Sequence, residues 1–141
     1  MTRMMIWDFL SPPPRRENLI QRWAREDRLT VRDRARLNQK LDRLQQLEFD
    51  LAIHLHLLAG PVRKQRHIYK LVVYGDVMLR PMLCRGPLPE EMHLAYTLLL
   101  GAVEVGNRLQ PDNAPAVAEE RRQAVLEKPR ERRQLHERFE E

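Results

Sequence analysis

The stretch "KLVVYGDVMLRPMLCRGP", residues 70–87, constrains the fold more than any other part of the chain. Two apolar runs flank Gly75-Asp76, and a Gly-Asp pair between such runs reads as a hairpin turn. A further apolar run, "AYTLLLGAVEVG" (95–106), follows after "PLPEEMH". Strand candidates at 68–75, 77–86 and 95–106 predict an antiparallel meander, although the length of the last run leaves a helix open there. Its Gly101 marks a bulge or a close approach to the backbone. Arg80, Pro81 and Arg85 are out of place in a core strand. Proline cannot donate to a ladder, so Pro81 belongs at an edge or a bulge. A bulge there reverses side-chain parity and would gather Arg80 and Arg85 on one face with Lys70.

Upstream, "MMIWDFL" (4–10) reads as a first strand, stopped by "SPPP". Ser11 is a candidate N-cap for a helix over 14–27 whose apolar stripe is Leu19, Ile20 and Trp23. Thr30 with Asp33 forms a capping-box start for a second helix. Leu37, Leu41, Leu44 and Leu51, with Leu47 beside them, then recur at helical spacing, and the opposite face is charged and solvated. "LAIHLHLLAGP" (51–61) either extends that helix or begins an irregular connection. Residues 110–127 read as a helix capped by Asp112 or Asn113, with Pro115 in its first turn. Pro129 breaks it, and "RERRQLHERFEE" reads as a short terminal helix docked by Leu135 and Phe139. The order β-α-α-β-β-β-α-α predicts an α+β fold: a small antiparallel sheet packed on a helical pair, with C-terminal helices. Residues 1–126 form the domain and 127–141 a C-terminal helical extension.

With 141 residues the chain can bury one hydrophobic core. No run approaches the roughly 18 apolar residues of a membrane span, and the N-terminal stretch lacks a signal-peptide pattern. The single Cys84 cannot form an internal disulfide and reads as a small buried hydrophobe, which fits a reducing, cytoplasmic setting. The net charge is +5, and its location is informative. Residues 60–89 hold Arg63, Lys64, Arg66, Lys70, Arg80 and Arg85 against Asp76 alone, while the rest of the chain balances. A local positive field of this kind attracts polyanions.

Several chemistries are excluded. Ser11 is the only serine, which argues against a serine hydrolase. No glycine-rich phosphate loop is present. His54 and His56 lack further ligands at metal spacing, so neither metal nor cofactor is expected. A concentrated set of Arg and Lys with tyrosines and histidines, and without a conventional nucleophile, suits RNA. The substrate's own 2′-OH attacks the adjacent phosphate, and the protein aligns the strand, moves protons and stabilises charge. Arg80, Arg85 and Lys70 are the candidate charge stabilisers, and His136 on the terminal helix is a candidate acid or base. Glu104 is a general base or, better, an ion-pair partner for one of the arginines.

From "GPVRKQRHIYKLVVYGDVMLRPMLCRGP" through "YTLLLGAVE" to "PDNAPAVAEERRQAV", the pattern resembles the RelE/ParE superfamily of bacterial toxins. A basic loop enters a Tyr-x-Leu strand, and the next strand carries an arginine followed by apolar residues. In the ribonuclease branch, the resemblance implies a metal-independent endoribonuclease that cuts mRNA, often on the ribosome, under control of an antitoxin protein. It maps basic residues onto Arg63, Lys64 and Arg66, and an arginine onto Arg80. Arg108 and Tyr69 join the loop residues as RNA contacts, Tyr69 by stacking on a base. Val72 stands where the family often has an arginine, and "VEVGNRLQP" holds only Arg108 where two lysines often occur. Those departures leave open a gyrase-directed member, or a non-catalytic protein-interaction module on the same fold.

Overall fold

The computed structural model describes residues 3–141. Its first strand, β1 (Met5–Phe9), leads into three helices, α1 (Leu19–Glu26), α2 (Val31–Leu44) and α3 (Phe49–His54). A two-residue strand, β2 (Leu58–Ala59), precedes the meander. Each meander strand is divided in two: β3 (Tyr69–Leu71) and β4 (Val73–Tyr74), β5 (Met78–Leu79) and β6 (Met82–Arg85), β7 (Ala95–Leu100) and β8 (Val103–Val105). The chain ends with β9 (Arg108–Gln110), α4 (Ala114–Glu127), α5 (Pro129–Arg132) and β10 (Arg133–Leu135).

The strands build a six-stranded sheet, ordered β10-β1-β7-β6-β3-β2, and a four-stranded sheet, β4-β5-β8-β9. The class is α+β, and β3, β6 and β7 form the antiparallel meander that the sequence predicts. The larger sheet is mixed, however, because β1 pairs with β7 in parallel, Met5 opposite Ala95 and Asp8 opposite Leu98. No hairpin links these two strands; the chain between them runs through three helices and strands β2 to β6, the long connection a parallel pairing requires. Side chains alternate across the sheet. Ile6, Leu71, Leu83, Tyr96 and Leu98 join the core shared with α1 and α2. Phe9, Met82, Cys84 and Leu99 join the core beneath α4. With both faces covered, β7 is buried at every position.

All three meander strands break at one level: Val72, Arg80-Pro81 and Gly101-Ala102. The backbone stays paired across this corner, with Leu71 N donating to Pro81 O at 2.9 Å and Arg80 N to Ala102 O at 2.8 Å. Pro81 sits where its oxygen accepts and no N–H is needed. The Trp23 indole lies against Gly101, where any Cβ would overlap it, so Gly101 does mark a close approach. The expected bulge is present but elsewhere. Met82 faces Leu100 and Leu83 faces Leu98, so the extra residue is Leu99 on β7. Parity along 78–85 is therefore kept, and the predicted gathering of Arg80, Arg85 and Lys70 does not occur.

The hairpin tip is tied to α2. Thr30 and Asp33 form the predicted capping box, and Asp33 Oδ1 also accepts from Asp76 N at 2.7 Å. Thr30 Oγ1 donates to Asp76 Oδ2 at 2.7 Å, and a Cβ on Gly75 would overlap the Asp33 carboxylate. Elsewhere the caps differ from expectation. Asn18 caps α1, its side chain accepting from Ile20 N and Gln21 N, so the helix starts at Leu19. Ser11 instead accepts from Glu17 N at 2.8 Å, closing the loop around the prolines.

The tail departs most from its expected helix. After one helical turn, residues 133–135 extend and pair antiparallel with β1, Trp7 opposite Leu135 and Phe9 opposite Arg133. An exposed edge of β1 is a template that this segment satisfies. Phe139 is buried in the main core while Leu135 is exposed, and Asn38 bonds both Phe139 N and Phe139 O. Residues 127–141 thus supply an edge strand and a core residue.

Asp33→Ala removes the helix cap and the anchor of the hairpin tip together. Urea unfolding should show a loss of roughly 2–3 kcal/mol. Asp42→Ala, which breaks only an exposed pair with Arg138, should leave the unfolding midpoint nearly unchanged.

Candidate functional site

Arg80 belongs to the corner. It is 4% exposed. Its Nη1 donates to the carbonyls of Leu79 at 2.9 Å and Val73 at 3.3 Å, and its Nη2 lies 3.7 Å from Glu104 Oε2. The Tyr74 ring covers the guanidinium at 5.4 Å. Val73 and Leu79 face each other where β4 pairs with β5, and their carbonyls have spare lone pairs beside the break that accept further donors. Arg80 supplies them, with Glu104 balancing the charge as the sequence reading preferred. Its guanidinium is therefore held by the fold.

The other candidate catalytic residues lie elsewhere. Arg85 stacks 4.3 Å over Phe49, donates from Nε to Met92 O at 3.3 Å and places Nη2 3.0 Å from His93 Nδ1. Tyr69 meets the same Phe49 edge-on at 4.8 Å and is half-buried. Lys70 pairs with Met82, whose side chain belongs to the core beneath α4, so it projects toward the opposite face from Arg85. His136 is not on a helix but just beyond β10. Its Nδ1 is 2.8 Å from Asp8 Oδ1, and the fully buried Asp8 also accepts from Asn18 at 2.9 Å. Among the described residues, no hydrogen bond or ion pair joins any two of Arg80, Arg85, Lys70 and His136.

The basic loop contrasts with these. Arg63, Lys64 and Arg66 are exposed, and no ion pair or side-chain hydrogen bond holds them or Lys70 among the described residues. The loop is nevertheless ordered by the backbone. Val62 N donates to Ile68 O at 2.8 Å, Gln65 N to Val62 O at 2.9 Å and Ile68 N to Gln65 O at 3.1 Å. Lys64 takes a left-handed conformation, φ 68°, to close the turn. Arg108, exposed on β9, lies on the second sheet.

A histidine that the sequence reading passed over lies in this loop. Desolvation, then the charges of Arg122 and Arg66, hold the His67 imidazole below its ordinary pKa, with Glu119 opposing. The imidazole is thus neutral at pH 7 among cations. Arg122 and Glu119 form a bidentate pair with contacts of 2.6–2.9 Å, which lowers the carboxyl pKa and raises that of the guanidinium. His67 is in the basic run, but its neighbours on α4 come from far along the chain and leave no local signal. Cys84 is fully buried, and burial pushes its thiol up to about 12, which suits a packing role.

No protein-family model, no curated protein and no solved structure matches this chain. No helix among the described residues is long and apolar enough to cross a membrane.

Arg80→Ala removes one donor from each of two buried carbonyls and strands Glu104, so urea unfolding should show a loss of about 3–5 kcal/mol. Glu104→Gln keeps a polar partner and should lose only about 1–2 kcal/mol.

Proposed function

We propose that the protein is a toxin-like RNA-binding protein of the RelE kind. It grips the backbone of mRNA with Arg63, Lys64 and Arg66, and an antitoxin of acidic surface controls it by covering the same loop. The observation that carries this reading is the state of those charges. They are exposed, unpaired and mounted on a turn closed by three backbone hydrogen bonds, so little conformational freedom of the loop backbone is lost on binding. Most other cations near the sheet are held by the protein: Arg80 by Glu104, Arg122 by Glu119, and Arg133 by Glu91.

Cleavage through the substrate's 2′-OH is supported by His67. A neutral imidazole beside Arg66 accepts the 2′-OH proton, the 2′-oxygen attacks phosphorus, and the 5′-oxygen leaves with a proton from water. The products are a 2′,3′-cyclic phosphate and a 5′-hydroxyl. Arg66 stabilises the added negative charge on the phosphorane.

Fluorescence anisotropy with a single-stranded RNA across a salt series tests the binding. Changing Arg63, Lys64 and Arg66 to alanine should weaken binding and reduce the slope of log K against log salt by about 2, since each phosphate that is no longer neutralised lowers it by roughly 0.7. An unchanged slope would remove the loop from the interface. In a cleavage assay, His67→Ala should abolish cyclic phosphate while leaving RNA affinity intact. Because the His67 pKa is depressed, the wild-type rate should hold through pH 6.5 and fall only below it.

A further inference from the structure

On the other flank of α4 lies a pocket of about 350 Å³ against β1 and α1. Its apolar wall includes Phe9, Leu19 and Val117. Two guanidinium groups meet the Phe9 ring, Arg132 at 4.9 Å and Arg121 at 5.1 Å from its centroid. Each is pinned by one backbone carbonyl: Arg121 Nη1 donates to Leu99 O at 2.9 Å and Arg132 Nε to Leu10 O at 3.2 Å. Neither has a carboxylate within ion-pair distance among the described residues. Their sequence neighbours behave differently: Arg122 is clasped by Glu119, and Arg133 by both carboxylate oxygens of Glu91 at 2.8 Å.

Two half-buried cations on one aromatic ring repel each other, and burial followed by the Arg132 charge draws the Arg121 pKa down. A guanidinium carries five N–H donors, so roughly four on each remain without a protein acceptor. Glu120 lines the same pocket from an exposed position and pairs with neither arginine. Pinned, unpaired arginines over an apolar wall match a ligand with an anionic head of several acceptor oxygens and an apolar or planar body. Phosphate suits paired guanidinium forks.

We propose that this pocket binds a phosphate monoester carried on a small planar group, the chemistry of a nucleoside monophosphate or of the 5′-phosphorylated end of an RNA strand. The phosphate sits between Arg121 and Arg132, and the planar group lies along Leu19 and Val117. The site does not depend on the basic loop.

Isothermal titration calorimetry with AMP, adenosine and inorganic phosphate tests it, beside 5′-phosphorylated and 5′-hydroxyl tetranucleotides. AMP should bind at least about tenfold more tightly than adenosine or phosphate, because each supplies only part of the contact. Arg121→Gln and Arg132→Gln should each weaken AMP by about 10- to 100-fold. Glu120→Gln, which removes the nearby negative charge without touching the ring, should tighten it by about threefold. The loop variant lacking Arg63, Lys64 and Arg66 should bind AMP normally, so loss of the RNA-binding reading would leave this site standing. Preference for the 5′-phosphorylated tetranucleotide over its 5′-hydroxyl form would identify a strand end; binding of AMP alone would identify a free nucleotide. Absence of AMP binding at 10 mM, taken as about the weakest affinity of interest, would overturn the proposal. So would affinity unaltered by the glutamine variants and by Glu120→Gln.

Discussion

The guanidinium of Arg80 is the interaction on which the arrangement of the two sheets depends. The three meander strands turn their corner beside the facing pair Val73 and Leu79, whose carbonyls both accept from Arg80 Nη1. One buried side chain bonds both and meets Glu104 from the third strand, so the bend is held from inside. Around it, Pro81 offers only an acceptor and Gly101 leaves room for Trp23. The corner lets the outer half of the hairpin reach α2, where Asp33 caps its own helix and receives the tip. A charge that looks functional in the sequence is in this way part of the fold.

The consequence is a division of the basic residues. Arg80 and Arg85 are engaged by protein groups: two carbonyls and a carboxylate for the first, the Phe49 ring, Met92 O and His93 for the second. Arg63, Lys64 and Arg66 are not, and the loop that presents them is braced by its own backbone. An unpaired exposed cation is already solvated and meets a phosphate at little cost. A buried, paired one must first break its contacts. This difference places the proposed RNA contacts in the loop, away from the strand that follows the hairpin turn.

What the sequence makes legible follows the range of the physics. The hairpin turn, the Thr30–Asp33 box and the close approach at Gly101 are written in a few adjacent residues. They appear as expected, as do the three meander strands and the α+β class. The tail is different: "RQL" has no strong strand pattern, and its conformation is decided by the open edge of β1, more than 120 residues away in the chain. The bulge at Leu99 on β7 was not legible, because Leu99 stands between two other leucines with no turn residue beside it. The site was legible as charge and illegible as pairing. Glu104 was expected to pair with one of the arginines and meets Arg80, but Glu91 for Arg133 and the Arg122–Glu119 neighbourhood of His67 are products of the fold.

The central claim is that the loop guanidinium groups meet RNA while the corner guanidinium does not. Arginine Nε–Hε resonances, assigned and followed by NMR during titration with single-stranded RNA, report on this side chain by side chain. The account predicts that Arg63 and Arg66 shift with the added RNA while Arg80 holds its position. A titrating shift at Arg80, with Arg63 and Arg66 unmoved, would contradict it.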